Sequence, residues 1–423
     1  MSLEVERGGS IVLNRPVITG MGILAPNGVG LEAYWQSILS CESGIRPISN
    51  FDASEHRFPV AGEVQDFCLC QYTNGQFKPK RLGRHTQFAL AATRMALDHA
   101  GVGPDLLGEI STMPVAIGVS TSAMDVIERN EDVLVAQGPR KVSPYGVSSC
   151  LPHAVTSSIA ELIGIQTQRF TFSSACSAGL DALAFSANYI EEGRADMVIT
   201  GGVDAAITPL TIASFSLSGL LPQSVREPGR MSRPFDLHRQ GGILSEGAGV
   251  FVMESLGHAL ARGATPFGMV RGYGNNADAA RSQAGMGLSD SMAQALANSS
   301  LVPSDIDYIC AHGPSDPLID RIETAMIKKV FSRRAYHFPV SSIKGVTGNP
   351  LSAAGPLQVA ACLLAMRDGR VPPTANYEVP DPWCDLDYVP NEPRSMDLHR
   401  ALVNLHGLGG GNSSLIIEQV RSA

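Results

Sequence analysis

The chain has no C-x-x-C pair, no low-complexity segment, no long run of one charge and no apolar stretch of membrane-spanning length. Each absence excludes a class of protein. Its eight cysteines are scattered, and Cys68-Leu69-Cys70 is the closest approach, with no second pair beside it. Neither a zinc site nor a disulfide framework has that spacing, so reduced thiols and no metal are expected. The longest apolar stretches, at residues 197–200 and 249–253, are strand-length, and the first residues lack the basic, apolar and small-residue order of a signal sequence. A cytoplasmic location with no membrane attachment is the expectation. A net charge of −8 leaves no general basic face for nucleic acid.

What is present is a chain of 423 residues with 44% hydrophobic composition, enough for two domains or one large duplicated one. Its 43 glycines and 27 prolines punctuate an alternation of short β-rich runs and longer helical ones, which implies an α/β fold with mostly buried strands. Val17-Ile-Thr-Gly-Met-Gly22 is echoed by Met269-Val-Arg-Gly-Tyr-Gly274, each read as a strand entering a glycine turn. Two halves of similar plan would divide at residues 255–265, giving 1–258 and 259–423.

Cys176 stands out among the cysteines. The run Phe170-Thr171-Phe172 breaks into Ser173-Ser174-Ala175-Cys176-Ser177-Ala178-Gly179 and then into an apolar helical pattern. A thiol at a strand-to-helix turn meets unsatisfied N–H groups and the positive end of a helix dipole, which favours thiolate. The other seven cysteines read as small buried hydrophobes.

Two later segments also carry polar residues at a strand end: residues 308–317, with His312, and 339–349, with Lys344 and Asn349. His312 beside Gly313 is placed to donate a hydrogen bond to an enolate or oxyanion. Lys344 is either a surface cation or an organiser of nearby carboxylate or backbone groups. His56, His85, His99, His258, His337 and His399 read as structural. The turn His406-Gly407-Leu408-Gly409-Gly410-Gly411 is either a tight hairpin or a close backbone approach that supplies an oxyanion N–H. Lys78, Lys80, Arg81 and Arg84 form a basic cluster on an acidic chain, either a solvated helix start or a dock for an acidic partner.

Taken in order, these segments resemble the elongation-type β-ketoacyl-acyl-carrier-protein synthases of fatty acid and polyketide synthesis. The resemblance also takes in residues 138–144, Gly201-Gly-Val-Asp204, Ser232-Arg-Pro-Phe-Asp236, Glu246-Gly-Ala-Gly249 and Ala353-Ala-Gly355. It implies a thiolase-type fold, with duplicated βαβαβαββ halves in a five-layered αβαβα arrangement, working as a homodimer or as a heterodimer with a relative. It implies that Cys176 takes an acyl group from the phosphopantetheine of an acyl carrier protein, with no bound cofactor, and that the N–H groups of Cys176 and Leu408 form the oxyanion hole. A malonyl thioester would then lose carbon dioxide and attack the acyl-cysteine.

The chain departs from the family pattern at several places. The second catalytic histidine of Lys-x-x-Thr-Gly-His is Asn349, an amide that can donate a hydrogen bond but cannot carry a proton; initiation-type and plant-type relatives use a similar Cys-His-Asn set. Pro314 and Asp316 replace the two threonines expected along the pantetheine arm, which removes a backbone donor and adds a charge. Gly242 and Leu408 replace bulky aromatics at the pocket mouth, and His406 replaces another, so an atypical acyl substrate is expected. Three functions remain open: a condensing enzyme; an acyltransferase that forms a C–N or C–O bond or relays the acyl group; and a non-catalytic partner of the chain-length-factor kind.

Overall fold

Ten strands form one continuous sheet path built from the same five-strand order used twice. In the computed structural model, which describes residues 13–110, 112–223 and 227–420, the first half contributes β1 (Pro16–Ala25), β2 (Val115–Gly118), β3 (Arg169–Phe172), β4 (Met197–Asp204) and β5 (Gly247–Ser255). The second contributes β6 (Gly268–Ala277), β7 (Tyr308–Cys310), β8 (Val340–Ser341), β9 (Arg400–His406) and β10 (Gly411–Glu418). Spatial order is β1-β5-β4-β2-β3 in one and β6-β10-β9-β7-β8 in the other. Strand directions repeat as well: β2 runs parallel to β3 and β4, as β7 does to β8 and β9, and the remaining neighbours are antiparallel. The halves join where Val17 and Ile18 of β1 pair with Met269 and Gly268 of β6.

Helices cover and separate the two half-sheets. α1 (Arg84–His99) packs outside β1 and β5, and α3 (Leu288–Ser299) outside β6 and β10. α2 (Ala178–Glu191) and α5 (Ala354–Asp368) pack against each other in the middle, while α4 (Ile319–Phe331) lies against α3. This is the five-layered thiolase-type arrangement. Helix α5 is buried from Ala354 to Met366, as a helix enclosed on every side must be.

The sequence echo has a different cause from the expected one. Gly20 and Gly22 lie inside β1, and Gly272 and Gly274 inside β6, rather than in turns. A Cβ on Gly20 or Gly22 would stand 2.2 or 1.9 Å from the carbonyl oxygen of Ala96 or Ala92 in α1. On Gly272 or Gly274 it would stand 2.3 or 2.2 Å from that of Ala295 or Ser291 in α3. Glycine is required because an outer helix backbone rests directly on each strand.

The cysteines also depart from expectation. Cys68 and Cys70 are joined as a disulfide, their Cα atoms 5.3 Å apart at the start of a short helix, so the thiols are not all free. Cys41 and Cys150 are half-buried, and only Cys310, Cys362 and Cys384 join Cys176 in the interior. Among the described residues no helix is long and apolar enough to cross a membrane, and no group of three potential ligands could hold a metal. The first twelve residues, where no signal sequence is expected, lie outside the described residues.

Candidate active site

Cys176 is positioned by a strained corner. After β3 the chain turns through Ala175 at φ 55°, a left-handed conformation that costs an L-residue about 1–2 kcal/mol, into a single 3-10 turn, Ala175–Ser177, that opens α2. Asp181, one turn into α2, holds the corner by accepting from the Ser174 hydroxyl. Its other oxygen accepts from Tyr273 of β6 at 2.6 Å and Ser413 of β10 at 2.8 Å. Both halves therefore fix one cysteine.

Cys176 is 3% exposed. Burial pushes its thiol above the ordinary value, and this outweighs the opposing charge of Lys344, the Leu408 N–H and the Asn349 side chain. The thiolate expected from the helix terminus alone is overturned, because desolvation is the larger effect here. Leu408 sits in the turn between β9 and β10, so the glycine run is a hairpin and also brings a backbone donor to Cys176. Gly407 permits that approach: a Cβ on it would lie 3.2 Å from the Cys176 nitrogen.

His312 and Lys344 form a buried unit on the second half. Lys344 Nζ donates to the His312 carbonyl at 2.5 Å and to Gln358 Oε1 at 3.1 Å, and it lies 3.4 Å from His312 Nδ1. An ammonium only donates, so Nδ1 is the acceptor nitrogen and Nε2 carries the ring proton. Burial, together with the charge of Lys344, holds the His312 imidazole well below its ordinary value and therefore neutral at pH 7. Glu323 of α4 accepts from the His312 and Gly313 N–H groups at 2.8 Å each and from Asn404 at 3.3 Å. Burial lowers Lys344 to about 8.

Asn349 completes the set. Its N–H donates to the Ile243 carbonyl at 2.7 Å, which ties it to the loop before β5, and its side chain reaches Cys176. Its Oδ1 is buried and has no hydrogen-bond partner in the structure. Cys176, His312, Asn349, His406 and Leu408 all line one cavity of about 740 Å³.

Family models describe the same two halves. Residues 14–259 match the N-terminal domain of beta-ketoacyl synthase and residues 267–378 its C-terminal domain. The chain belongs to the beta-ketoacyl synthase family. It is 36% identical over 412 residues to 3-oxoacyl-[acyl-carrier-protein] synthase 2 of Coxiella burnetii, covering 96% of this chain and 99% of that one. It is 35% identical over 413 residues to the ketoacyl synthase alpha subunit of the tetracenomycin polyketide synthase of Streptomyces glaucescens, covering 95% and 96%. Among solved structures, the ishigamide ketosynthase/chain length factor superposes with a TM-score of 0.90 at 32% identity, covering 96% of this chain and 99% of that one. A type II ketosynthase in complex with its acyl carrier protein and bound to a hexaketide superposes with a TM-score of 0.88 at 31% identity, covering 96% and 99%.

The departures of this beta-ketoacyl synthase gather around the cavity, whose lining includes Gly242, Pro314, Asp316, His406 and Leu408. A Cβ on Gly242 would stand 3.0 Å from the Pro314 carbonyl oxygen, so position 242 borders the backbone of the loop that carries His312. Asp316 Oδ1 accepts from the N–H groups of Leu318 and Ile319 at 2.8 and 2.9 Å, at the start of α4. Its charge is thereby tied to the helix rather than free in the mouth.

The basic cluster divides. Lys78, Lys80 and Arg81 are exposed. Arg84 is not a docking residue: its guanidinium donates to both oxygens of buried Glu246, at 2.9 and 2.7 Å, and to the Val64 carbonyl at 3.0 Å. Burying the Glu246 carboxylate without that partner would be too costly, which is why the cation turns inward.

Sequence reasoning missed Glu323, Gln358, Asp181 and Asp278, which hold the reactive groups rather than present them. Glu323 alone left a signal, as an acid on the apolar face of the pattern Ile319, Ile322, Glu323, Met326, Ile327.

Proposed function

We propose that this protein is a β-ketoacyl-acyl-carrier-protein synthase that condenses an acyl group held on Cys176 with a malonyl-type extender, using a Cys-His-Asn set. The observation that carries this is Asn349, which stands where the family pattern has its second histidine and still shares the cavity with Cys176 and His312. Cys176 attacks the acyl thioester and its proton passes to the departing pantetheine thiol, with the N–H groups of Cys176 and Leu408 holding the oxyanion. The extender carbonyl then accepts from His312 Nε2–H and Asn349 Nδ2–H. Decarboxylation leaves an enolate stabilised by those two donors, and neither has to take a proton. The enolate attacks the acyl carbon and releases the Cys176 sulfur.

The substrates arrive on the phosphopantetheine of an acyl carrier protein, which docks on exposed Lys78, Lys80 and Arg81; no cofactor is resident. A second ketosynthase chain, identical or related, completes the working dimer in the cytoplasm. A non-catalytic role is disfavoured by the intact corner around Cys176. The test is incubation with an acyl-carrier thioester and malonyl carrier protein, with both proteins followed by intact mass. A two-carbon-extended β-keto product establishes the reading. An acyl-Cys176 that leaves the malonyl carrier untouched overturns it.

A further inference from the structure

His406 stands at the end of β9, where its ring lines the cavity beside that of His312; the centroids are 6.2 Å apart and edge-to-face at 79°. Its proton position is dictated by a fixed amide. Asn412 Nδ2 points at three acceptors, Asn276 Oδ1 at 3.0 Å, Asp278 Oδ1 at 3.0 Å and the Gly410 carbonyl at 3.1 Å. That orientation leaves Asn412 Oδ1 facing His406 Nδ1 at 2.9 Å. An amide oxygen only accepts, so Nδ1 carries the hydrogen and Nε2 of the neutral ring is an open lone pair. His312 has the opposite arrangement, because Lys344 occupies its Nδ1 and leaves Nε2–H as a donor.

A carboxylate stands behind the His406 ring. Asp278 Oδ2 lies 3.9 Å from Nδ1, and this carboxylate is held in place by the N–H groups of Gly285 at 2.7 Å and Gly287 at 2.8 Å. An acceptor nitrogen on a residue lining the cavity that holds Cys176 matches a substrate that brings a hydrogen.

From this we infer that His406 is the general base for transfer of the acyl group from Cys176 to a protic acceptor, an alcohol or an amine, held in the same cavity. The O–H or N–H proton passes to His406 Nε2 as the oxygen or nitrogen bonds to the acyl carbon. The oxyanion rests on the N–H groups of Cys176 and Leu408. The C–S bond then breaks, and His406 returns the proton to the Cys176 sulfur, whose burial favours the thiol. The products are an ester or amide and the free enzyme; no carbon dioxide is lost and no redox step occurs. This inference rests on acylation of Cys176 in the proposed function, and not on decarboxylation.

The test starts from acyl-Cys176 enzyme prepared with an acyl thioester. It is mixed in separate arms with a hydroxyacyl pantetheine thioester, an aminoacyl pantetheine thioester, malonyl carrier protein, or buffer alone. The expected result is an ester or amide formed faster than the acyl group is lost in buffer. His406→Phe and His406→Gln should slow that transfer by about 100-fold, the usual scale of a general base. Imidazole added to His406→Ala should restore transfer, which a merely structural role would not permit; thermal unfolding and alkylation of Cys176 check that each variant is folded. Acyl loss at the buffer rate in both acceptor arms, or wild-type transfer by His406→Phe, overturns the inference. Ester or amide without condensation supports it while removing the proposed condensing function, and condensation without either removes the inference alone. Failure of the wild type to acylate Cys176 removes both.

Discussion

The first half of the molecule turns from β3 into α2 through Ala175 at φ 55° and the 3-10 turn Ala175–Ser177; the second turns into α5 through Leu351 at φ 50° and the 3-10 turn Leu351–Ala353. These are the same corner, and the second residue of each is Cys176 in one half and Ser352 in the other. Cys176 faces the cavity. Ser352 is locked, its hydroxyl donating to the Val203 carbonyl at 2.8 Å and to the buried Asp204 carboxylate, which also accepts the Ser352 N–H at 2.9 Å. The halves differ in what precedes the corner. β3 leads almost directly to Ala175, whereas between β8 and Leu351 the chain inserts the short helix Lys344–Thr347 and then Asn349. The two halves thus hold equal corners, one presenting Cys176 to the cavity and one acting as a brace, and the inserted segment supplies Asn349, whose side chain reaches Cys176.

Breaking the inserted segment should have the largest effect. Asn349→Leu keeps the volume but removes the amide donor, and it is expected to slow condensation by about 10²–10³-fold in single-turnover product formation. A rate within threefold of wild type would show that the second half needs only His312. Arg84→Ala, in the first half, leaves buried Glu246 unpaired and should lower unfolding free energy by about 3 kcal/mol in urea titrations. A loss of carrier affinity without that destabilisation would return Arg84 to the docking surface. Ser352→Ala removes a hydroxyl bound to a buried carboxylate and should cost about 2 kcal/mol of stability with no change in the Cys176 acylation rate; slower acylation would mean that the second corner is not a passive brace. Reversing Lys78, Lys80 and Arg81 to glutamate should weaken carrier binding by about tenfold at low salt, with the melting temperature unchanged, as calorimetry would read. Glycine at the first position of each corner separates the two, as urea titrations would read. Ala175→Gly should leave stability within about 1 kcal/mol, because glycine relieves the left-handed residue while loosening the unfolded chain. Leu351→Gly also empties a buried side-chain site and should cost more than 2 kcal/mol.

Much of this was legible because strand-end chemistry leaves a local mark. Cys176, His312 and Lys344 each lie just past an apolar strand and beside small residues, and Asn349 lies five positions beyond Lys344 in the same segment, so these polar groups are visible in the sequence. The long-range ties left no such mark. Nothing near Arg84 shows that it bonds Glu246, across 162 positions of chain. The sequence neighbours of Cys176 favour a thiolate, and the burial that reverses this comes from apolar residues far along the chain, among them Phe58, Ile212, Leu244 and Leu351. The paired glycines of β1 and β6 were visible as an echo, but their cause lies in α1 and α3. The tautomer of His406 depends on Asn412, whose amide is fixed by Asn276 and Asp278 from another strand and its following loop.

The Pro314 carbonyl oxygen is the nearest atom to a Cβ built on Gly242, at 3.0 Å. A side chain at position 242 therefore asks the loop bearing His312 to give by a few tenths of an ångström. The width of the pocket mouth and the seating of His312 are adjusted through one backbone carbonyl, so a redesign of the acyl pocket at position 242 is also a redesign of the loop that holds the histidine.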